Sequence, residues 1–314
     1  MRIDRASDTY DTQPELKNYE NGDHAACVGN GQNIYLSGLM IVIIQCRDQV
    51  GLVSAISGVL SRAGLNIITM DEYVDTAQNR FFARVEVTQP NDAQLDQQDL
   101  EQVLPPDAVV SINPSPEKRI VILVTKEYHC LADILVRNYF KTLGATVSAV
   151  IGNHTVLEDI CVRFGIPFHH ISHEGNSKEG FETELAAQIA HYEPDHVVLA
   201  KFMRILSPTF VARFERKLIN IHHSFLPAFI GANPYRQAYE RGVKLIGATA
   251  HFVTNDLDEG PIIAQQTIHV NHSFTAQDMV KAGREIETAV LAKALQLVLN
   301  DRVFVYNNKT VVFE

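Results

Sequence analysis

The sequence predicts an α/β protein of two domains: a ferredoxin-like βαββαβ unit at residues 39–113, then a Rossmann-like, mostly parallel α/β domain at residues 119–314. Three observations carry this reading. Extended and helix-period segments alternate in βαββαβ order through the first region. From residue 119, short and nearly continuous apolar runs recur with helix-period segments between them, the pattern of parallel strands covered on both faces. Asn113-Pro114-Ser115-Pro116-Glu117-Lys118 separates the two patterns; it is short, polar and Pro-rich, with the linker itself at residues 114–118.

Residues 1–38 mix Asp, Asn, Gln, Gly and Glu with few apolar positions and read as a loosely ordered leader without an assigned function. In the first domain Ile41-Val42-Ile43-Ile44 reads as a strand. Residues 50–63 form a helix with Leu52, Val53, Ile56, Val59 and Leu60 at helical spacing, closed by Gly64. Residues 67–74 and 80–87 make a hairpin about a polar connection. Residues 92–103 read as a helix stopped by Pro105-Pro106, and residues 109–112 as the last strand. In the second domain strands are expected at 120–124, 147–151, 168–171, 197–200 and 217–222, with helices at 131–142, 155–164 and 179–192. Beyond Pro234 come a short helix to Arg241, strands at 245–253 and 262–270, a long helix at 276–299 and a terminal hairpin, 303–306 with 310–313.

Composition narrows the function. The 314 residues are 46% hydrophobic and 20% charged, enough for two cores. A net charge of -10 lacks the basic footprint that phosphate backbones require, so nucleic acid is not an expected partner. No run of about 18 apolar residues occurs and Met1-Arg2-Ile3-Asp4 begins no signal sequence, so neither a membrane nor export is expected. Cys27, Cys46, Cys130 and Cys161 are widely spaced without metal-ligand pairing. They are expected to be reduced thiols of a cytoplasmic protein.

The chemistry concentrates in Asn220-Ile221-His222-His223-Ser224-Phe225-Leu226-Pro227 and Leu257-Asp258-Glu259-Gly260-Pro261. Alternation along the strand puts Asn220 and His222 on one face, at its carboxyl end, where open α/β sheets bind ligands. An amide and an imidazole side by side can donate to one carbonyl oxygen as it becomes an oxyanion, and the imidazole can move a proton. Asp258 supplies a carboxylate to orient the histidine or a water. His223, next along, is expected to point away as a structural residue. On the strand leading to Asp258, His251 shares a face with Thr249. It either lines the cleft or donates to a backbone carbonyl in the core. Phe202, Met203, Arg204, Ile205 and Leu206 follow a strand; they either receive a flat heteroaromatic ring or form the approach to a helix cap at Ser207-Pro208.

These motifs resemble those of the formyltetrahydrofolate-dependent formyltransferase domain. The resemblance implies Asn220, His222 and Asp258 as the catalytic trio. It also implies residues 202–206, Thr249, His251 and Thr254 as substrate-binding positions, with the 202–206 loop holding the pterin. Asp48-Gln49-Val50-Gly51-Leu52 and Ala63-Gly64-Leu65-Asn66-Ile67 resemble the ACT family of small-molecule regulatory domains. That likeness implies an amino-acid effector, glycine or methionine, near Asp48, Gly51 and Asn66, and pairing into a homo-oligomer. Asp48 as a mere helix N-cap is the competing view.

Thr125-Lys126-Glu127-Tyr128-His129-Cys130 has no glycine where glycinamide ribonucleotide transformylases cradle the acceptor's phosphate, and the acidic chain lacks the features of methionyl-tRNA formyltransferases. From about residue 40 onward the chain is similar to the formyltetrahydrofolate deformylase family. This implies hydrolysis of 10-formyltetrahydrofolate to tetrahydrofolate and formate, supplying formate for purine synthesis and balancing one-carbon pools. The folate is the substrate, with neither cofactor nor metal expected. A formyltransferase with an unidentified acceptor and a non-catalytic folate sensor are the alternatives.

Overall fold

The computed structural model of the protein describes residues 39–88, 95–113, 117–228 and 234–314. The leader expected at 1–38, the start of the helix expected at 92–103 and most of the linker lie outside the described residues. The first domain contains β1 (Leu39–Arg47), α1 (Leu52–Arg62), β2 (Asn66–Asp75), β3 (Arg80–Thr88), α2 (Gln97–Glu101) and β4 (Val109–Asn113). Its four strands pair antiparallel in the order β2-β3-β1-β4. Gly51 caps α1 with a left-handed φ of 92, so the helix starts at Leu52 rather than at residue 50, and Val50 is left fully exposed. Leu52, Ile56, Val59 and Leu60 enter the core, whereas Val53, expected beside them, lies at the edge of the stripe and is exposed. The Asp96 carboxylate accepts from the Gln98 amide, which starts α2 at Gln97, later than expected.

The second domain runs β5 (Lys118–Val124), α3 (His129–Tyr139), β6 (Ala145–Gly152), α4 (Glu158–Arg163), β7 (Phe168–His170), α5 (Lys178–His191), β8 (His196–Leu199), α6 (Pro208–Arg213) and β9 (Leu218–His222). It continues through α7 (Pro234–Glu240), β10 (Leu245–Phe252), β11 (Ile262–His269), α8 (Ala276–Leu299), β12 (Val303–Tyr306) and β13 (Lys309–Val312). Lys141 takes φ 58 and turns the chain after α3, which therefore stops at Tyr139 instead of 142. The seven-stranded sheet has the order β11-β10-β9-β8-β5-β6-β7. Strands β5 to β9 are mutually parallel, β10 runs antiparallel to its neighbours β9 and β11, and β11 at the edge therefore points the same way as the parallel strands.

Alternation explains the continuous apolar runs. Ile120, Ile122 and Val124 of β5 pack with α3 and α8, while Val121 and Leu123 pack with α5 and α6 on the other face. Strand β5 has β6 on one side and β8 on the other, so the chain order reverses there and a crevice opens at the carboxyl ends of β5, β8 and β9. The Thr275 capping box closed by Asp278 fixes the start of α8.

The terminal hairpin has a role that its sequence did not reveal. It lies on the outer face of the first domain's sheet, where Phe82 meets Phe304 at 5.6 Å and Tyr306 at 6.0 Å. Between the aromatic contacts and the end of α8, Arg84 is 2% exposed; it donates to the Asn300 carbonyl at 3.1 Å and pairs with Glu86 at 2.6 Å. Removing one partner of a buried pair leaves an uncompensated charge. Arg84→Ala is therefore expected to destabilise the chain by about 3–5 kcal/mol, read from the urea midpoint. The exposed control Arg163→Ala should leave that midpoint in place.

Candidate active site

Strand β9 ends at His222, and its antiparallel neighbour β10 sets His251 opposite Asn220 and Thr249 opposite His222. His251 is 2% exposed, with Nδ1 2.9 Å from the Phe252 carbonyl and Nε2 3.2 Å from Asn220 Nδ2. A carbonyl only accepts, so Nδ1 carries the proton and Nε2 receives a hydrogen bond from the Asn220 amide. Burial pushes the His251 imidazole's titration down, which keeps this neutral tautomer. Both readings of His251 are thus joined: it is a buried histidine on a carbonyl, and its other nitrogen fixes which end of the Asn220 amide faces the cleft.

Asp258 arrives from the loop after β10. Its backbone is left-handed, φ 59, in a turn closed by the Glu259 amide donating to the Asp256 carbonyl at 3.3 Å. Gly260 follows where a Cβ would stand 1.8 Å from the Phe252 carbonyl oxygen, so only glycine lets the loop fold back on β10. The Asp258 carboxylate then lies 3.3 Å from His222 Nδ1 and 3.8 Å from His251 Nε2. Burial favours the neutral acid. The hydrogen bond and charge of His222 outweigh it and hold the carboxyl below the usual aspartate range. His222 Nε2 is buried and makes no hydrogen bond within the protein.

The trio lines a cleft of about 310 Å³ together with Phe202, Met203, Arg204, Ile205 and Leu206. Met203, Ile205 and Leu257 are exposed apolar side chains on this lining, a surface suited to a flat ring. The 202–206 segment is a loop, and the Met203 amide donates to Thr125 Oγ1 at 2.9 Å, tying it to the segment after β5. Ser207 caps α6, so the alternative reading of this stretch is also realised, one residue further on. Thr254 lines the cleft and donates to the Asp256 carbonyl at 3.2 Å.

Two expectations are corrected. Thr249 is wholly buried and does not line the cleft; its hydroxyl donates to the Ser224 carbonyl at 2.9 Å and accepts from the Leu226 amide at 3.1 Å, pinning the turn after β9. His223 does not point away. The strand stops at His222, so alternation no longer applies, and the two rings lie 5.1 Å apart on the same cleft. Burial and the Lys201 ammonium hold His223 down to about 4, a neutral neighbour for His222.

Sequence reasoning missed Lys201, His129, Tyr235 and Glu287, which make a largely buried ionic cluster beside the trio, with the partly exposed Glu127 at its edge. The signal was present in Glu287, a carboxylate on the face of α8 that buries Gly283, Ile286, Val290 and Leu291. In the first domain Gly51, not Asp48, is the α1 N-cap. Asp48 is half-buried, with its backbone amide on the Asn79 carbonyl at 3.0 Å, and Asn66 is exposed at the start of β2. The loop at 229–233 lies outside the described residues.

Fold and site together define an open α/β domain with an Asn-His-Asp trio in a crevice at its strand ends, joined to a small βαββαβ module. Residues 118–295 match the formyl transferase family model and residues 40–105 the ACT domain model. The formyltetrahydrofolate deformylase of Escherichia coli strain K12 is 53% identical over 85% of this chain and 95% of its own length. That of Haemophilus influenzae is 51% identical, over 87% of this chain and 98% of its own. The crystal structure of a formyltetrahydrofolate deformylase from Pseudomonas syringae superposes with a TM-score of 0.82 at 38% identity, covering 90% of this chain and 97% of that one. The chain belongs to the formyltetrahydrofolate deformylase family.

Proposed function

We infer that this protein hydrolyses 10-formyltetrahydrofolate to tetrahydrofolate and formate, and that Asn220, His222 and Asp258 carry the reaction. The supporting observation is the contact between His222 Nδ1 and Asp258 at 3.3 Å, set in a cleft whose remaining lining is largely apolar. The pterin ring rests on the 202–206 loop with its formyl group toward the trio. Asp258 orients a water and takes one of its protons as the oxygen attacks the formyl carbon. The carbonyl electrons move onto oxygen, where Asn220 and His222 Nε2 donate to the oxyanion. As the bond from carbon to N10 breaks, His222 passes its proton to N10. Formic acid leaves as formate by giving its proton to the emptied Nε2 of His222, and Asp258 releases the proton it took to solvent water, so both side chains return to their starting states. Each step uses only these side chains, water and the folate. The apolar surroundings make the hydrogen bonds stronger than they would be in water.

The reaction releases formate for formate-consuming steps of purine synthesis and returns the folate to the one-carbon pool. Cytoplasmic placement fits the three described cysteines, Cys46, Cys130 and Cys161, all free and buried. Among the described residues no helix is long and apolar enough to cross a membrane.

His222→Ala and Asp258→Ala are expected to bind tetrahydrofolate as the wild type does by calorimetry. Formate release should fall by about 10²–10³ or more, because a lost oxyanion donor or water-orienting group acts on the transition state. Wild-type turnover in either variant would remove the assignment.

For the ACT domain we propose an amino-acid effector, glycine or methionine, held near Asp48, Gly51 and Asn66 in a symmetric homo-oligomer. The support is the left-handed start of α1, which frees the amides of its first turn for a carboxylate, beside the half-buried Asp48 carboxylate for an ammonium. An effector changes the rate only by binding two conformations unequally, so its affinity should shift when folate is bound. Calorimetric titration of both amino acids, with and without tetrahydrofolate, should show binding that Asp48→Ala loses. No binding of either would leave the domain as an assembly surface.

A further inference from the structure

Lys201 lines the same cleft as the trio yet takes no part in the steps above. It is 4% exposed, and its Nζ lies 3.1 Å from Glu287 Oε2 and 3.9 Å from Glu127 Oε1. Glu287 is 1% exposed and is oriented from two other sides, by His129 Nε2 at 2.8 Å and the Tyr235 hydroxyl at 2.7 Å. Arg284 Nε lies 3.4 Å from the other oxygen of Glu127. The Lys201 backbone is left-handed, φ 62, a conformation that a lysine holds only where its surroundings fix it. His129, Cys130 and Glu287 offer the donor types of a metal centre, but Glu287 Oε2 is already shared between His129 and the lysine ammonium. The cation in this acidic pocket is the protein's own.

A buried carboxylate flanked by a phenol and an imidazole is a site built for an ammonium or amine. It adjoins the reaction centre: the His223 ring lies 5.1 Å from that of His222 and 6.2 Å from that of Tyr235. We propose that Lys201 plugs an amine-acceptor subsite formed by Glu287, Tyr235, His129 and Glu127, and that this internal ammonium is what restricts the acceptor to water. The proposal rests on the hydrolytic reading and names the residue that enforces it. With the lysine removed, a small primary amine would enter the vacated space, hydrogen-bond through one N–H toward Glu287, and attack the formyl carbon as the neutral amine while Asp258 takes the proton it sheds. A carbon–nitrogen bond forms, the bond to N10 breaks, the amine loses one proton and N10 gains one, with no change of oxidation state.

The test measures product partition with glycinamide as the amine, counting N-formylglycinamide against formate. The wild type should give formate alone. Lys201→Ala should raise the ratio of N-formylglycinamide to formate by about tenfold or more, because discrimination moves from exclusion to competition. Lys201→Arg, which keeps the cation, should behave as wild type, and the double variant Lys201→Ala/Glu287→Gln, which removes the carboxylate as well, should lose the gained transfer. An unchanged ratio in a Lys201→Ala protein that still hydrolyses would overturn the proposal, as would loss of hydrolysis without any gained transfer in both Lys201→Ala and the double variant. Transfer by the wild type at the level of Lys201→Ala would instead overturn the hydrolytic reading beneath it, and is distinguished by appearing before any substitution.

Discussion

The candidate active site depends on one contact between chain segments far apart in sequence, the approach of Asp258 to His222. Two backbone facts permit it. Asp258 is left-handed at φ 59, and Gly260 packs against the Phe252 carbonyl where a Cβ would stand 1.8 Å away. The antiparallel register of β9 and β10 supplies the rest, since it places His251 beside Asn220 and so fixes the amide while the loop delivers the acid. The parallel sheet provides a stiff floor, and the chemistry is held by strand ends and one strained turn rather than by mobile side chains.

Electrostatics divides the cleft into two environments. On one side, exposed apolar groups such as Met203, Ile205 and Leu257 line the cleft, and on the other the Lys201 and Glu287 charges are buried and paired. Burial alone would keep Glu287 neutral. Its hydrogen bond from His129, the Lys201 ammonium and the Tyr235 hydroxyl reverse this and hold the carboxyl down to about 2. A folded-state pKa below the ordinary glutamate value means that the cluster adds stability above that value, and the contribution is lost as pH falls toward about 2. Helix α8 carries Glu287 and, at its far end, the Asn300 carbonyl that receives Arg84, so a single rigid element touches both the ionic cluster and the first domain.

Much of this was legible because periodicity and punctuation are local. The βαββαβ order, the parallel strands and the 276–299 helix follow from apolar spacing, and Asn220, His222 and Asp258 stood out as polar groups at a strand end and in a Gly-Pro-closed loop. Most of what escaped was non-local. Thr249 shares a strand face with His251, yet its hydroxyl is used up by the turn after β9, a contact that only the fold creates. His223 turned toward the cleft because regular strand geometry ends one residue earlier. Lys201 and Glu287 are more than 80 residues apart and meet only when α8 packs on the sheet.

In the proposed mechanism Asp258 directs a water, and is not itself the nucleophile, onto a formyl carbon held by Asn220 and His222. A single turnover in water enriched in oxygen-18, with enzyme in excess over 10-formyltetrahydrofolate, tests it most directly. Formate should carry one heavy oxygen in the first turnover, and the Asp258 peptide should keep its mass. Unlabelled formate with the heavy oxygen retained on Asp258 would contradict it, by making the carboxylate the attacking group.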